Sequence, residues 1–368
     1  MRHARSLLPY VATALVIALG GAALVLATVP SDDAAGTTVE AIRSAPQLSP
    51  TGRLAYWRQN PAGAFVLSVA NFDGSLARAL VTLAPSSPRP FATRWTGDGR
   101  AVAYATETGI AVASLDGTRT FISLPPQARN SGFSLIDQRW SPSGDKVAAT
   151  LFRSTDGKSD VYLGSLGRPQ LAHVADLGNA FAADWLSDDE LLVESDRGAL
   201  VALRESGAIR KVVAASAASP FIDRGRVYYF AGTVSASGNA SGIFVNSPAV
   251  SSVLPDGTSA RTEDRIGIND DLKLDGRWPD GRYLVHRARD ATQYLAGPAP
   301  KLVAISSSAG ATLRRVVLGA DRRTAIGFGG GRLVRIDLSR TFSPPDSAFI
   351  VLLDGVVAAD VWVRRDLG

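Results

Sequence analysis

From residue 37 to residue 367, apolar and β-branched runs of four to eight residues alternate with short clusters of Gly, Pro, Asp and Ser. Such runs read as β-strands and the clusters as the turns between them. No long pattern of helical period interrupts them. Runs such as Ala101-Val102-Ala103-Tyr104-Ala105 have no polar face, which is expected of strands covered on both sides. A sandwich core would produce similar runs, so the spacing of the turns has to decide between architectures.

That spacing is regular. Arg94-Trp95-Thr96-Gly97-Asp98-Gly99-Arg100-Ala101-Val102 returns 45 residues later as Arg139-Trp140-Ser141-Pro142-Ser143-Gly144-Asp145-Lys146-Val147. After another 45 residues it returns as Asp184-Trp185-Leu186-Ser187-Asp188-Asp189-Glu190-Leu191-Leu192. Weaker copies begin at Leu48, Ile222, Trp278 and Gly329, and the turn glycines or their equivalents stand at 52, 99, 144, 189, 225, 281 and 331. The unit near 225 carries a Gly/Ser/Ala/Asn insertion over 232–242. Within a full unit one strand enters the Trp, a second follows the turn, a third spans 110–115 and a fourth spans 120–124. A recurring unit of this length with four strands is a propeller blade. The expected fold is therefore all-β: a β-propeller of four-stranded blades, seven by the turn count, with six as the alternative. The run 349–357 reads as a hairpin completing the last blade, and 38–42 as a strand that pairs with it to close the ring.

Ahead of the repeats, Met1-Arg2-His3-Ala4-Arg5-Ser6 precedes an uncharged stretch over 7–29. A cleaved signal has an apolar region of about 7 to 15 residues, whereas a spanning helix needs about 20. The length favours a retained transmembrane helix, although Val25-Leu26-Ala27 also fits a cleavage site. Arg2 and Arg5 against Ser31-Asp32-Asp33 place the amino terminus in the cytoplasm and the rest outside. The expected organisation is 1–30 as leader and membrane anchor, 31–44 as linker and 45–368 as propeller. The product is a single-pass cell-membrane protein with its C-terminal domain extracytoplasmic, or a secreted one if the segment is cleaved.

Composition changes this picture little. With 368 residues, 46% of them hydrophobic, the chain can bury a large core. Its net charge of +5 falls to about +3 without the two leader arginines, too little for a nucleic-acid footprint. Cys is absent, so no disulfide framework or thiolate metal site is expected.

Trp140-Ser141-Pro142-Ser143-Gly144-Asp145-Lys146-Val147-Ala148 resembles the Trp-Ser-Pro-Asp-Gly repeat of the TolB-like, WD40-like bacterial propellers. The resemblance covers most of 45–365 and implies a propeller with a protein-binding or envelope role. The same repeat serves binding proteins, sensors and peptidase propellers, and fold does not carry function. No Gly-x-Ser-x-Gly elbow occurs, so the peptidase version lacks its nucleophile.

Candidate chemistry is sparse. Trp95, Trp140, Trp185 and Trp278 fit packing between blades better than a ligand platform. His173 and His286 stand alone, without metal-ligand spacing. Asn269-Asp270-Asp271 with Asp275-Gly276 resembles a calcium loop only loosely. No metal or cofactor is expected. The residue before each strong Trp is Arg94, Arg139, Asp184 or Arg277. Equivalent positions in a propeller lie on a ring around its axis, so three guanidiniums and one carboxylate there would suit a small anionic ligand. Alternatively, each Arg pairs locally with a turn carboxylate such as Asp98, Asp145 or Asp280. The function expected is a membrane-anchored binding or scaffolding propeller, with a protein partner or a small anion as its ligand. The alternative is a propeller enzyme of lactonase or lyase type with its site in the central channel.

Overall fold

The computed structural model describes residues 47–364, apart from 131, 175–176, 196–197, 205, 207, 237–242, 267–271, 288–290, 298–301, 306–311 and 339–348. The expected membrane segment, the linker, the strand over 38–42 and Asn269-Asp270-Asp271 lie outside the described residues.

Strands follow one another in antiparallel meanders. The first is β1 (Gly52–Gln59), β2 (Phe65–Asn71) and β3 (Arg78–Leu83). The second is β4 (Phe91–Trp95), β5 (Ala101–Thr106), β6 (Gly109–Ser114) and β7 (Arg119–Ser123). A five-residue helix, α1 (Pro126–Asn130), leads into β8 (Phe133–Trp140), β9 (Lys146–Arg153), β10 (Lys158–Ser165) and β11 (Arg168–His173). Next come β12 (Ala180–Trp185), β13 (Glu190–Ser195), β14 (Leu200–Arg204) and β15 (Ile209–Ala214). They are followed by β16 (Ala217–Asp223), β17 (Arg226–Ala236), β18 (Ile243–Val253) and β19 (Arg261–Arg265). The chain continues with β20 (Leu272–Arg277), β21 (Tyr283–Arg287), β22 (Gln293–Ala296) and β23 (Leu302–Ala304). It ends with β24 (Arg315–Leu318), β25 (Thr324–Gly329), β26 (Arg332–Asp337), β27 (Phe349–Asp354) and β28 (Val356–Val363). Among the described residues these make five four-stranded sheets and one eight-stranded sheet. The latter is two four-stranded meanders, β4–β7 and β8–β11, joined by the single parallel pair Gln170 and Ser123.

The repeat works as a hairpin turn. Gly99 N–H donates to Thr96 O at 2.9 Å and Gly144 N–H to Ser141 O at 2.9 Å, with φ of 68° and 81° at the two glycines. Glycine meets that left-handed backbone without a Cβ penalty. The Trp before each turn is buried, with 5%, 5%, 2% and 3% exposure at Trp95, Trp140, Trp185 and Trp278. Trp140 sits in a core built from β5, β6, β8, β9 and β10, so it packs between one meander and the next.

Two expectations are corrected. The run after 349 is not a hairpin: β27 completes the sheet of β24–β26, while β28 crosses to pair with β1 from Gly52↔Val363 to Arg58↔Val356. Closure therefore comes from the C-terminal strand, which covers the edge that β1 would otherwise expose. The glycines at 329–331 form the turn between β25 and β26, not the Trp-type turn. The first turn of that sheet is at Gly319, whose N–H donates to Thr324 O at 2.8 Å. Residues 232–236 of the insertion extend β17, which pairs on with β18 past an irregularity between Ala231 and Thr233, from Thr233↔Asn246 to Ala236↔Ile243.

Candidate functional site: an axial cavity ringed by first strands

The opening strands of the meanders gather on one axis. β28, β4, β8, β12, β16 and β20 touch in that order, and Arg315 at the start of β24 reaches Asp360 on β28. Between them lies a cavity of 480 Å³ lined by residues of β4, β8, β12, β16, β20 and β24, a size in the range of small-ligand sites.

A strand packed between neighbouring sheets directs its side chains alternately at those neighbours. A β-bulge breaks the alternation and re-aims a residue. Each of five first strands has such an irregularity in its pairing: between Phe91 and Arg94, Leu135 and Asp137, Ala182 and Asp184, Ala218 and Phe221, and Leu274 and Gly276. The residues set free by them include Ile136, Ala183, Ser219, Pro220 and Asp275, all of which line the cavity. Ala92 and Ser219, with φ of 45° and 54°, mark two of these bulges in the backbone itself.

One part of the wall is a guanidinium cluster. Asp137 bridges two arginines, with Oδ1 2.7 Å from Arg94 Nη2 and Oδ2 2.7 Å from Arg139 Nη2. Asp360 Oδ2 accepts the Trp95 N–H at 2.7 Å. Its Oδ1 lies 2.7 Å from Arg315 Nη2 and 4.0 Å from Arg94 Nη1; the Arg315 contact is an ion pair outside hydrogen-bond alignment. Three guanidiniums thus face two carboxylates. Burial pushes the Asp137 carboxyl up, but Arg139, Arg94 and the Gln138 N–H outweigh it and hold it below the usual carboxylate range. Asp137 raises the affinity of Arg139 for its proton, against burial. Arg315 is shifted down by burial, with Arg94 and Arg139 repelling it and Asp360 opposing the shift. The Nε atoms of Arg94 and Arg139 are buried and have no hydrogen-bond partner among the described residues.

Elsewhere on the wall, Asp275 Oδ2 accepts from His286 Nδ1 at 2.6 Å and from Gln293 Nε2 at 2.7 Å. Glu194 Oε1 accepts the Ser219 N–H at 2.9 Å, and its Oε2 lies 3.9 Å from Lys273 Nζ. Lys273 also sits 5.5 Å over the Phe181 ring.

Of the four residues singled out before the Trp positions, the structure brings Arg94 and Arg139 together on the cavity wall, through a shared carboxylate. Asp184 caps its own strand end, accepting the Trp185 N–H at 2.9 Å, and is not among the lining residues. Arg277 is not a lining residue either; its guanidinium lies 6.0 Å over the Tyr228 ring. The local alternative fails in detail, because Asp98 and Asp280 pair with Arg100 and Arg282 and Arg94 takes Asp137 from the next meander. Sequence reading passed over Asp137, Asp360, Arg315 and Gln293, and it named Asp275 and His286 only separately, the one in a loose calcium-loop pattern and the other as a histidine standing alone. The signal for Asp137 was its place two residues before Arg139, on the same side of one strand. For Asp275, His286 and Gln293 no spacing rule applied, since a bulge and two strand pairings bring them together. Among the described residues no group of three or more His, Cys, Asp or Glu is placed to hold a metal ion.

No family model matches the sequence, and no curated protein matches it. Solved structures do. TolB from Acinetobacter baumannii is 17% identical with a TM-score of 0.39, over 72% of this chain and 68% of that one. The putative TolB from Agrobacterium tumefaciens is 14% identical with a TM-score of 0.40, over 83% and 90%. The dihydro-heme d1 dehydrogenase NirN is 12% identical with a TM-score of 0.48, over 86% and 76%. With four-stranded meanders recurring behind a Trp-and-turn repeat, and their first strands gathered around one cavity, this chain is a β-propeller that resembles TolB.

Proposed function

We propose that this protein is a seven-bladed, membrane-anchored extracytoplasmic propeller that works as a binding module and takes a small anionic ligand into its axial cavity. Seven blades follow if the eight-stranded sheet is two blades, as its single bridging pair suggests. The anchor rests on the uncharged stretch over 7–29, with Arg2 and Arg5 on one side and Asp32 and Asp33 on the other.

The anion reading is carried by one observation: three arginines share two carboxylates at the cavity wall. Arg139 and Arg315 keep 37% and 34% side-chain exposure. Arg94, at 22%, is spent on Asp137 and on the Thr93 carbonyl, to which Nη1 donates at 3.0 Å. A planar guanidinium pair with charge to spare suits a carboxylate or phosphate. Titration calorimetry of the full-length chain in detergent, with glutarate and inorganic phosphate as probes, tests this. Binding of either anion, weakened about tenfold or more by Arg139→Ala with Arg315→Ala, is the expected result. Binding unaffected by the double substitution, with the thermal transition intact, overturns the reading. The anchor is tested separately, by carbonate extraction of membranes: the full-length chain stays with the membrane, and external protease digests the propeller. A soluble chain beginning near Thr28 would mean that the segment is cleaved.

A further inference from the structure

The cavity carries a second chemistry away from the guanidiniums. A carboxylate only accepts hydrogen bonds, so the two side chains on Asp275 Oδ2 must both donate to it. This orients the Gln293 amide with Nε2 on Asp275 and Oε1 turned away. It also sets the His286 imidazole with its proton on Nδ1, which leaves Nε2 as an acceptor in the neutral ring. Gln293 is only 2% exposed, lines the cavity, and its Oε1 has no hydrogen-bond partner among the described residues. A buried acceptor left in that state is costly until a donor reaches it. The cavity is where a ligand would supply one.

Charge narrows the donor. The buried Glu194 is offset by Lys273 at 3.9 Å, while Asp275 is held by His286 and Gln293, neither of them a permanent cation. The arginine wall has the opposite imbalance, three guanidiniums to two carboxylates. A neutral hydroxyl would satisfy Gln293 Oε1 but add no charge beside Asp275. An ammonium brings several donors and a permanent positive charge together.

We propose, building on the anion reading above, that the ligand is a small zwitterion. Its oxyanion is held by Arg139 and Arg315, and its amine is held by Gln293 Oε1 beside Asp275 and His286. The cavity then reads both ends of one molecule, which is how a site rejects analogues lacking either group.

Calorimetry on the full-length chain tests it with four probe sets: ω-amino acids of three to six carbons, the unsubstituted carboxylates of equal length, the ω-hydroxy acids, and inorganic phosphate. The best ω-amino acid should bind about tenfold or more tighter than the carboxylate and the hydroxy acid of its length. Asp275→Asn and Gln293→Leu should each erase that preference; Gln293→Leu should leave the plain carboxylate within about twofold of its original affinity, and Asp275→Asn, which removes a charge acting on Arg139, should leave it bound at least as tightly as before. Asp275→Asn keeps the side-chain volume and so guards against a folding defect in Gln293→Leu. Equal affinity for amino, hydroxy and unsubstituted acids overturns the zwitterion while the anion site stands. Binding of phosphate with none of the carboxylates also overturns it. Failure of every anion to bind overturns both readings at once.

Discussion

Asp137 is the residue on which the arginine wall depends. It lies on β8, accepts from Arg94 of β4 and Arg139 of its own strand, and so ties two blades as well as two charges. Asp137→Asn keeps the shape and removes the charge. Because Arg94 and Arg139 retain 22% and 37% exposure, the cost should fall near that of a charged hydrogen bond, about 1.5–3 kcal/mol, rather than that of a dry broken pair. Its pH dependence has a definite sign. The folded carboxyl is held below its ordinary value of 3.8, so its contribution is complete above the unfolded value. It is lost as pH falls from there through the folded one. Chemical denaturation of wild type and variant from pH 6 downward should therefore show the two stabilities converging below about pH 4. A constant gap across that range would show that the ion pair is not the source of the cost. Trp140 tests packing in the same way. It is 5% exposed, and Nε1 donates to Gln138 Oε1 at 3.1 Å, so Trp140→Ala should cost about 3–5 kcal/mol. A variant with an unshifted melting temperature would mean that the ring is not part of the core.

At the scale of the element, the Trp-and-turn repeat joins neighbouring blades as well as the strands of its own. A Cβ on Gly99 would lie 2.5 Å from ring atoms of Trp362 on β28, and one on Gly144 would lie 2.5 Å from Asp98 Oδ1 in the preceding turn. Trp362 Nε1 also donates to Gly97 O at 2.8 Å, and Arg53 stacks over the same ring at 5.0 Å. The equivalent glycine at 225 has φ of 69° but nothing within 4 Å. Gly225→Ala should therefore show the backbone cost alone, about 1–2 kcal/mol, and Gly99→Ala clearly more. Equal losses in a urea titration would mean that the turn contact with Trp362 contributes nothing. These elements were legible in the sequence because a turn needing positive φ, followed by an apolar run, is a local signal repeated at a fixed distance. The bulges that build the cavity were not legible. Ile136 and Ala183 are unremarkable in sequence, Asp275 drew notice only within a loose calcium-loop pattern, and whether such a residue faces a neighbouring sheet or the axis depends on its pairing with the second strand. Arg94 and Arg139 were found because they sit at a fixed offset from a repeated Trp. Arg315 and Asp360 were missed because the blades that carry them have no Trp at that offset.

At the scale of the whole molecule, ring closure and the site share one strand. β28 is the innermost strand of a sheet whose other members come from the opposite end of the described chain, and it pairs with β1 over almost its full length. The same strand delivers Asp360, 4% exposed, to Arg315 and to the Trp95 N–H. Closing the ring therefore completes the arginine wall. Removing 356–368 would expose the edge of β1, uncover the Trp57 and Leu54 cores that β28 helps to seal, and leave Arg315 without its carboxylate. The expected result is loss of the cooperative thermal transition, with association through the open edge visible by size-exclusion chromatography. Asp360→Asn separates the two roles, since it preserves the strand and its backbone pairing while removing the charge. That variant should keep the wild-type hydrodynamic size and a cooperative transition, yet hold its arginines in a more strongly positive cavity and bind glutarate more tightly than wild type at low salt. If the truncated chain kept a cooperative transition and its original hydrodynamic size, the ring would be closing by some other contact. If Asp360→Asn bound the anion no better, Asp360 would be serving the strand alone and the charge balance of the wall would lie with Asp137.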